Sequence, residues 1–454
     1  MAQWAEYHRA PTMHTLDQLR QGQLAGLQRL NLSAELTTFP SEIFDLADSL
    51  EVLDLSRNQL STLPEDLPRL HRLRVIFLSN NPFETVPEVL AQCPALEMIG
   101  FKSNRITHLP ENALPPQTRW LILTDNHLDT LPASMGSLQR LQKLMLAGNR
   151  LQALPPEMAA CQNLELIRLA ANQLTELPSW LLTLPRLSWL AYAGNPFCAE
   201  GSESSADGLP VIDWADLVRG EVLGQGASGV IAKGLWKTAQ GDREVAIKFF
   251  KGDITSDGYP ADEIRACLAA GRHDQIVSPI GQVANHPKGQ QGLVFPLIPD
   301  SYDVLGGSPS LESCTRDTYP PDRTFTLPVA IRIAHNVAAA AHHLHQRGIL
   351  HGDLYPHNTL YNDGGDAKLG DFGAASFYPV DDGVLGPALE RLEVRAFGCL
   401  LEDLLDRCPM TDADHAASVT YAELRQLQQR CLQPDQRPRF SEILATLRRS
   451  QSPC

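Results

Sequence analysis

The sequence predicts an α/β solenoid of short repeats over its first half, joined to a second, non-repetitive domain of mixed helix and strand. Three observations predict it. An asparagine recurs with a period of 23 residues, one step being 22, from Asn58 to Asn195, the repeat chemistry stops near residue 198, and a glycine-rich turn between two strands opens the remainder. Self-similarity at a fixed period marks supersecondary units that bury their cores only by stacking.

At 454 residues the chain is longer than one hydrophobic core organises, and two domains are the expectation. Apolar content of 43% and charged content of 20% are those of folded domains. The net charge of −15 is spread over both halves, which disfavours nonspecific binding to nucleic acid or anionic membrane. Nine cysteines, an odd number without C-x-x-C pairs, read as reduced structural thiols. The start has no basic run followed by an apolar core, so no secretory signal is expected. No stretch reaches the roughly 18 apolar residues of a membrane helix, since Leu181 to Leu190 is broken by Pro185 and Arg186. A cytoplasmic protein is the expectation.

The asparagines stand at 58, 81, 104, 126, 149, 172 and 195, each in a Leu-x-x-Leu-x-Leu-x-x-Asn-x-Leu-like frame. One copy reads Leu50-Glu-Val-Leu53-Asp-Leu55-Ser-Arg-Asn58-Gln-Leu60, followed by Leu63-Pro64, and Leu-Pro returns at 109, 131, 154 and 177. The Leu-x-Leu centre alternates as a short strand does, and a buried asparagine satisfies backbone groups where the chain turns. The pattern resembles the leucine-rich-repeat family over residues 27–198, about eight repeats with an imperfect first copy from Leu27. Residues 1–26, with Leu16, Leu19 and Leu24, read as an N-terminal cap.

Strand positions facing away from the repeat core line the concave side. They are apolar along the solenoid: Val52, Val75, Phe77, Met98, Trp120, Ile122, Met145, Leu166 and Trp189, interrupted by Asp54, Lys143 and Arg168. Two readings stay open, a docking stripe for a protein substrate or regulator with aromatic anchors, and packing within the chain or a dimer. Residues 199–213 then read as a linker of small and polar residues.

The second domain is expected over residues 214–449. Gly224-Gln-Gly226-Ala-Ser-Gly229-Val230 follows the strand Arg219–Leu223, and glycines at this spacing let backbone approach phosphate. A dinucleotide-binding turn would open a helix, whereas Val230–Trp236 reads as a strand. Val245-Ala246-Ile-Lys248 puts a lysine on the next strand. Glu263 on the following helix is its expected carboxylate, with Asp262 a competitor. His351-Gly-Asp353-Leu-Tyr-Pro-His-Asn358 precedes Lys368-Leu-Gly-Asp371-Phe372-Gly373 by a hairpin. Phosphoryl transfer needs a carboxylate near the acceptor hydroxyl and oxygen ligands for magnesium, and Asp353, Asn358 and Asp371 are those groups.

The ordered series resembles the protein-kinase family, and with the repeats the chain is similar to soluble, bacterial leucine-rich-repeat kinases. The resemblance implies a bilobal α+β fold that binds ATP and Mg²⁺. It implies a Lys248–Glu263 ion pair, Asp353 as catalytic base, and Asn358 with Asp371 as magnesium ligands. Leu223, Gly224, Gly226, Gly229, Val230, Ala246, Lys248, Pro296, Ile298 and Leu360 are then the nucleotide-binding positions. Phe295-Pro-Leu-Ile298 reads as the hinge, and Glu390 with Arg437 as a buried ion pair.

The sequence departs from the family at four places. Gly352 replaces the arginine that pairs with a phosphorylated activation segment, and Asp381-Asp382 would oppose added phosphate, so activity without phosphorylation at Ser376 or Tyr378 is expected. Tyr355 replaces a lysine that serves the transferred phosphate, and Glu393 replaces the aspartate that braces the catalytic loop. His335, His342, His343, His345 and His351 read as packing and solvent residues rather than a metal site. The function this implies is a serine/threonine protein kinase whose repeats dock substrates or regulators. A small-molecule hydroxyl kinase and a nucleotide-binding scaffold are its rivals.

Overall fold

The computed structural model describes residues 12–198, 209–225, 229–250, 254–255, 257–409 and 415–451. Gly226, residues 1–11 of the expected cap and 199–208 of the expected linker lie outside the described residues. The chain divides into two compact units, one up to Leu187 and one from Ser188.

In the first unit, seven three-residue strands from Arg29–Asn31 to Leu166–Arg168 pair in parallel in chain order. The central residue of each strand, among them Leu53, Ile76, Leu121 and Leu144, is fully buried. The asparagines bind the copies together. Asn58 Nδ2 donates to Leu55 O of its own copy at 2.8 Å and to Leu32 O of the preceding one at 2.9 Å. Its Oδ1 accepts from the Ala34 and Leu36 amides. The same pattern repeats down the stack, with Oδ1 of Asn126 accepting from Ile106 N and that of Asn172 from Leu151 N. The recurring proline of Leu-Pro also has a structural use. Pro132, Pro155 and Pro178, all extended, each precede a short 3₁₀ helix on the far side of the repeat, where a fixed φ sets the turn. Before the first strand, Thr15 and Gln18 form a reciprocal capping box on the helix Leu16–Arg20, which buries Leu19.

The second unit begins at Ser188 and so includes the strand of the last repeat copy, Trp189–Ala191. A six-stranded sheet follows, in the spatial order Leu217–Gln225, Gly229–Thr238, Gly241–Phe250, Gly292–Pro296, Gly281–Ala284, Val211–Asp213. All neighbours are antiparallel except the last pair. The edge strand Val211–Asp213 falls in the stretch whose composition reads as linker. Ile212 draws it into the sheet core with Val245, Val283 and Val294, fitting over Gly281, where a Cβ would lie 2.3 Å from Ile212 Cδ1.

The helix Pro260–Ala270 packs between this sheet and a helical part built on Leu327–His345, Leu385–Asp406, His415–Leu432 and Phe440–Gln451. The hairpin Thr359–Asn362 and Ala367–Leu369 carries the residues around Asn358 and Asp371. Among the described residues no helix is long and apolar enough to cross a membrane.

Candidate active site

A cavity of about 490 Å³ is walled by the sheet on one side and by the Thr359–Leu369 hairpin on the other. Leu223, Ala246, Phe295, Pro296, Ile298 and Leu360 give it apolar lining, and Lys248, Glu263, Asn358 and Asp371 polar lining. Of the expected nucleotide positions these reach the cavity, and Gly224 and Gly229 stand on the two strands leading to the turn. Gly229 admits no larger residue, because a Cβ there would lie 2.4 Å from Phe249 O across the strand pair. Val230 is a correction: strand alternation turns it off the cavity, and Ile231, paired in register with Lys248, lines it instead.

Lys248 is buried and bonds to Glu263, with Asp371 Oδ1 a second partner at 3.2 Å. Burial opposes the ammonium, but Asp371 and Glu263 beside it hold its pKa above the ordinary lysine value. Burial pushes Glu263 up to about 7 against the pull of Lys248. Asp262, the competitor in sequence, turns away and pairs with Arg265 at 2.9 Å one helical turn on.

Asp371 has φ of 54°, a left-handed backbone that is uncommon outside glycine and concentrates at functional sites. Loss of solvation works against its charge, yet Lys248 and the Gly373 amide keep its carboxyl below the usual range. Asn358 Nδ2 donates to Asp353 Oδ2 at 2.8 Å and to Asp353 O at 3.0 Å. Asn358 and Asp371 therefore line the cavity, and Asp353 is tied to it through Asn358. Hard oxygen donors beside a lysine that prefers phosphate fit a magnesium–nucleotide complex.

The backbone beside Asp353 is held by a buried glutamate. Glu393, fully buried, accepts the Gly352 amide at 2.8 Å and the His351 amide at 3.4 Å, and pairs with His345 Nε2 at 2.8 Å. The glutamate thus reaches the loop that the family's aspartate serves. His345 Nδ1 is hydrogen-bonded to the Tyr378 hydroxyl at 2.7 Å, and His351 bonds to Gly370 O at 3.0 Å. His357 lines the cavity and is held through Nδ1 and its amide by Asp317, both at 2.7 Å. Burial works against its charge, but Asp317 raises its pKa above the ordinary histidine value. Asp317 lies in the irregular segment before the helix Leu327–His345, where no motif marks it.

Two further expectations are corrected. Among the described residues Glu390 and Arg437 form no ion pair: Glu390 Oε1 accepts the Phe440 amide at 2.9 Å, at the first residue of the last helix, and Arg437 reaches Arg391 O. Burial, with Arg395 nearby, lowers Arg437 to about 10. On the presumed docking stripe, Phe77, Trp120, Ile122 and Met145 are half-buried, whereas Val75, Met98, Leu166 and Trp189 are buried and offer no free surface. Trp189 packs within the second unit, its indole stacked on Tyr355.

Both halves of the chain are similar to known proteins. The family model described as protein tyrosine and serine/threonine kinase matches residues 217–384, and that described as leucine rich repeat matches 25–83 and 139–197. A serine/threonine-protein kinase/receptor of Acanthamoeba polyphaga mimivirus, R826, is 32% identical over 170 residues, 37% of this chain and 9% of that protein. The serine/threonine-protein kinase kinY of Dictyostelium discoideum is 28% identical over 302 residues, 55% of this chain and 50% of that protein. Among solved structures, a leucine-rich-repeat protein of Leptospira interrogans is similar at 30% identity and a TM-score of 0.33, over 38% of this chain and 50% of that one. The chain spans no more than half the length of these two curated relatives. It carries leucine-rich repeats followed by a C-terminal domain of the protein tyrosine and serine/threonine kinase family.

Proposed function

We propose that the second unit transfers the γ-phosphoryl group of ATP to serine and threonine hydroxyls of proteins. The observation that carries this reading is one cavity lined by Asn358, Asp371 and the Lys248–Glu263 pair, with Asp353 hydrogen-bonded to Asn358 beside it. Lys248, kept charged by its two carboxylates, binds phosphate oxygens, and Glu263 fixes the ammonium where it is needed. Asp353 accepts the proton of the acceptor hydroxyl, its carboxylate oriented by Asn358 Nδ2. Asn358 and Asp371 would hold Mg²⁺, which would supply charge neutralisation of the phosphates. Leu223, Ala246, Ile231 and Leu360 exclude water from the adenine side, with Pro296 O and Ile298 N–H as the hinge groups for its edge.

In this reading the repeats engage a protein substrate or regulator, which the half-buried Phe77, Trp120, Ile122 and Met145 support as contact residues. The eight cysteines among the described residues are free thiols, which supports action in the cytoplasm.

The test is transfer of radiolabel from γ-labelled ATP, with a protein mixture and a pool of small hydroxylated metabolites as acceptors. Label on protein serine and threonine is expected. Label on metabolites alone indicates a small-molecule kinase, and label on neither indicates a nucleotide-binding scaffold.

A further inference from the structure

The strand of the last repeat copy is built into the catalytic loop. Trp189 is 1% exposed, and its Nε1 donates to Leu354 O at 3.1 Å, one residue beyond Asp353. Its indole lies face to face with Tyr355, ring centroids 4.3 Å apart and planes 7° from parallel. On the other side of Asp353, Gly352 has φ of 73°, and a Cβ there would stand 2.5 Å from Leu190 O and 2.6 Å from Ala374 O. No arginine fits at that position, because backbone of the repeat strand and backbone of the segment after Asp371 already fill it.

The same strand continues into that segment. The Tyr192 amide donates to Ser376 Oγ at 3.0 Å, and the Tyr192 hydroxyl donates to Phe377 O at 3.1 Å. Ser188 Oγ is bonded by Arg395 on the helix that carries Glu393. Within this one short strand, Trp189 and Leu190 thus meet the loop on both sides of Asp353, and Tyr192 just after it meets Ser376 and Phe377.

We infer that Trp189 and Tyr192 are positioning residues for phosphoryl transfer, a role that rests on the phosphotransfer reading above. They hold the backbone around Asp353 and the segment after Asp371 in one geometry without any added phosphate. The functional kinase domain therefore begins at Ser188, inside the repeat pattern. Tyr355, at the position of the family's phosphate-serving lysine, does a different job: it is the platform on which Trp189 stacks.

The test uses the full chain with Trp189→Phe, which keeps a ring for the stack and removes the donor, Trp189→Ala, which removes both, and Tyr192→Phe. With an intact fold by circular dichroism, Trp189→Phe is expected to lower kcat about tenfold and Trp189→Ala about a hundredfold, with KM for ATP changed less than about twofold. Amide hydrogen exchange in 352–355 and 374–377 is expected to speed up in both Trp189 variants, and in 374–377 in Tyr192→Phe. A kcat equal to wild type in folded Trp189→Phe and Trp189→Ala overturns the inference, as does unchanged exchange in those two segments. The exchange measurement separates the two claims: absence of transfer by the wild-type chain sinks the phosphotransfer reading, while exchange still tests whether the strand orders the loop.

Discussion

Glu393 Oε1 accepts the Gly352 amide at 2.8 Å while its Oε2 pairs with His345 at 2.8 Å, so one buried carboxylate ties two helices to the backbone next to Asp353. Burial opposes its charge, but His345, His351 and the Gly352 amide outweigh it and hold the carboxyl below its ordinary value of 4.5. A depressed folded pKa contributes stability that is complete above the unfolded value and is lost as pH falls through the folded one. Glu393→Gln is therefore expected to be less stable by about 1–3 kcal/mol at pH 7. That gap should shrink as pH drops below 4.5. Denaturant titrations of both proteins from pH 7 to pH 3 check it, and a gap constant with pH contradicts it.

The helix Pro260–Ala270 presents two adjacent carboxylates, and only Glu263 reaches Lys248. Glu263→Gln is expected to lower kcat/KM for transfer by about 10- to 100-fold, because the ammonium loses the group that fixes it against phosphate. Asp262→Asn is expected to stay within about threefold, since its Arg265 pair is partly exposed. Steady-state kinetics of the two variants separate the roles, and equal losses would contradict the assignment.

In the repeat stack, Oδ1 of Asn126 is the acceptor for the buried Ile106 amide at 3.0 Å, and Nδ2 donates to Phe101 O and Leu123 O at 2.9 and 3.0 Å. Asn126→Ala is expected to cost about 2–4 kcal/mol, the loss of several buried hydrogen bonds with one donor left without an acceptor. The readout is amide exchange of the strands Met98–Gly100 and Trp120–Ile122. Protection equal to wild type would contradict the ladder's importance.

Ser376 is fully buried beneath the Tyr192 amide, and the Tyr378 hydroxyl is enclosed with His345. Neither hydroxyl is presented to another enzyme. Phosphatase treatment is expected to leave the transfer rate unchanged, with mass spectrometry finding both residues unmodified in active protein. A rate that falls on phosphatase treatment with Ser376 or Tyr378 as the site would contradict this.

Features that rest on local periodicity were legible in the sequence. The asparagine ladder follows from a fixed phase, and Lys248, Asp353, Asn358 and Asp371 from short motifs whose spacing the chemistry requires. Errors of one residue came from register: Val230 and Ile231 point to opposite faces of a strand, and nothing local says which faces the cavity. In place of the expected Glu390–Arg437 pair, Glu390 Oε1 accepts the Phe440 amide at a helix start, a contact no motif marks. Trp189 was legible only as a strand residue in phase with its repeat. That its ring meets Tyr355, 166 positions away in number, is a long-range relation that no pattern within either segment encodes. Asp317 was hidden for the same reason, since its meaning lies in His357.

The central claim is that Asp353 takes the acceptor's proton while nucleotide is bound by other residues. Single-turnover transfer from γ-labelled ATP to protein, measured beside equilibrium ATP binding for wild type and Asp353→Asn, tests it most directly. ATP affinity within about threefold of wild type and transfer slower by at least about a hundredfold are expected for Asp353→Asn. Transfer by Asp353→Asn at the wild-type rate would contradict it.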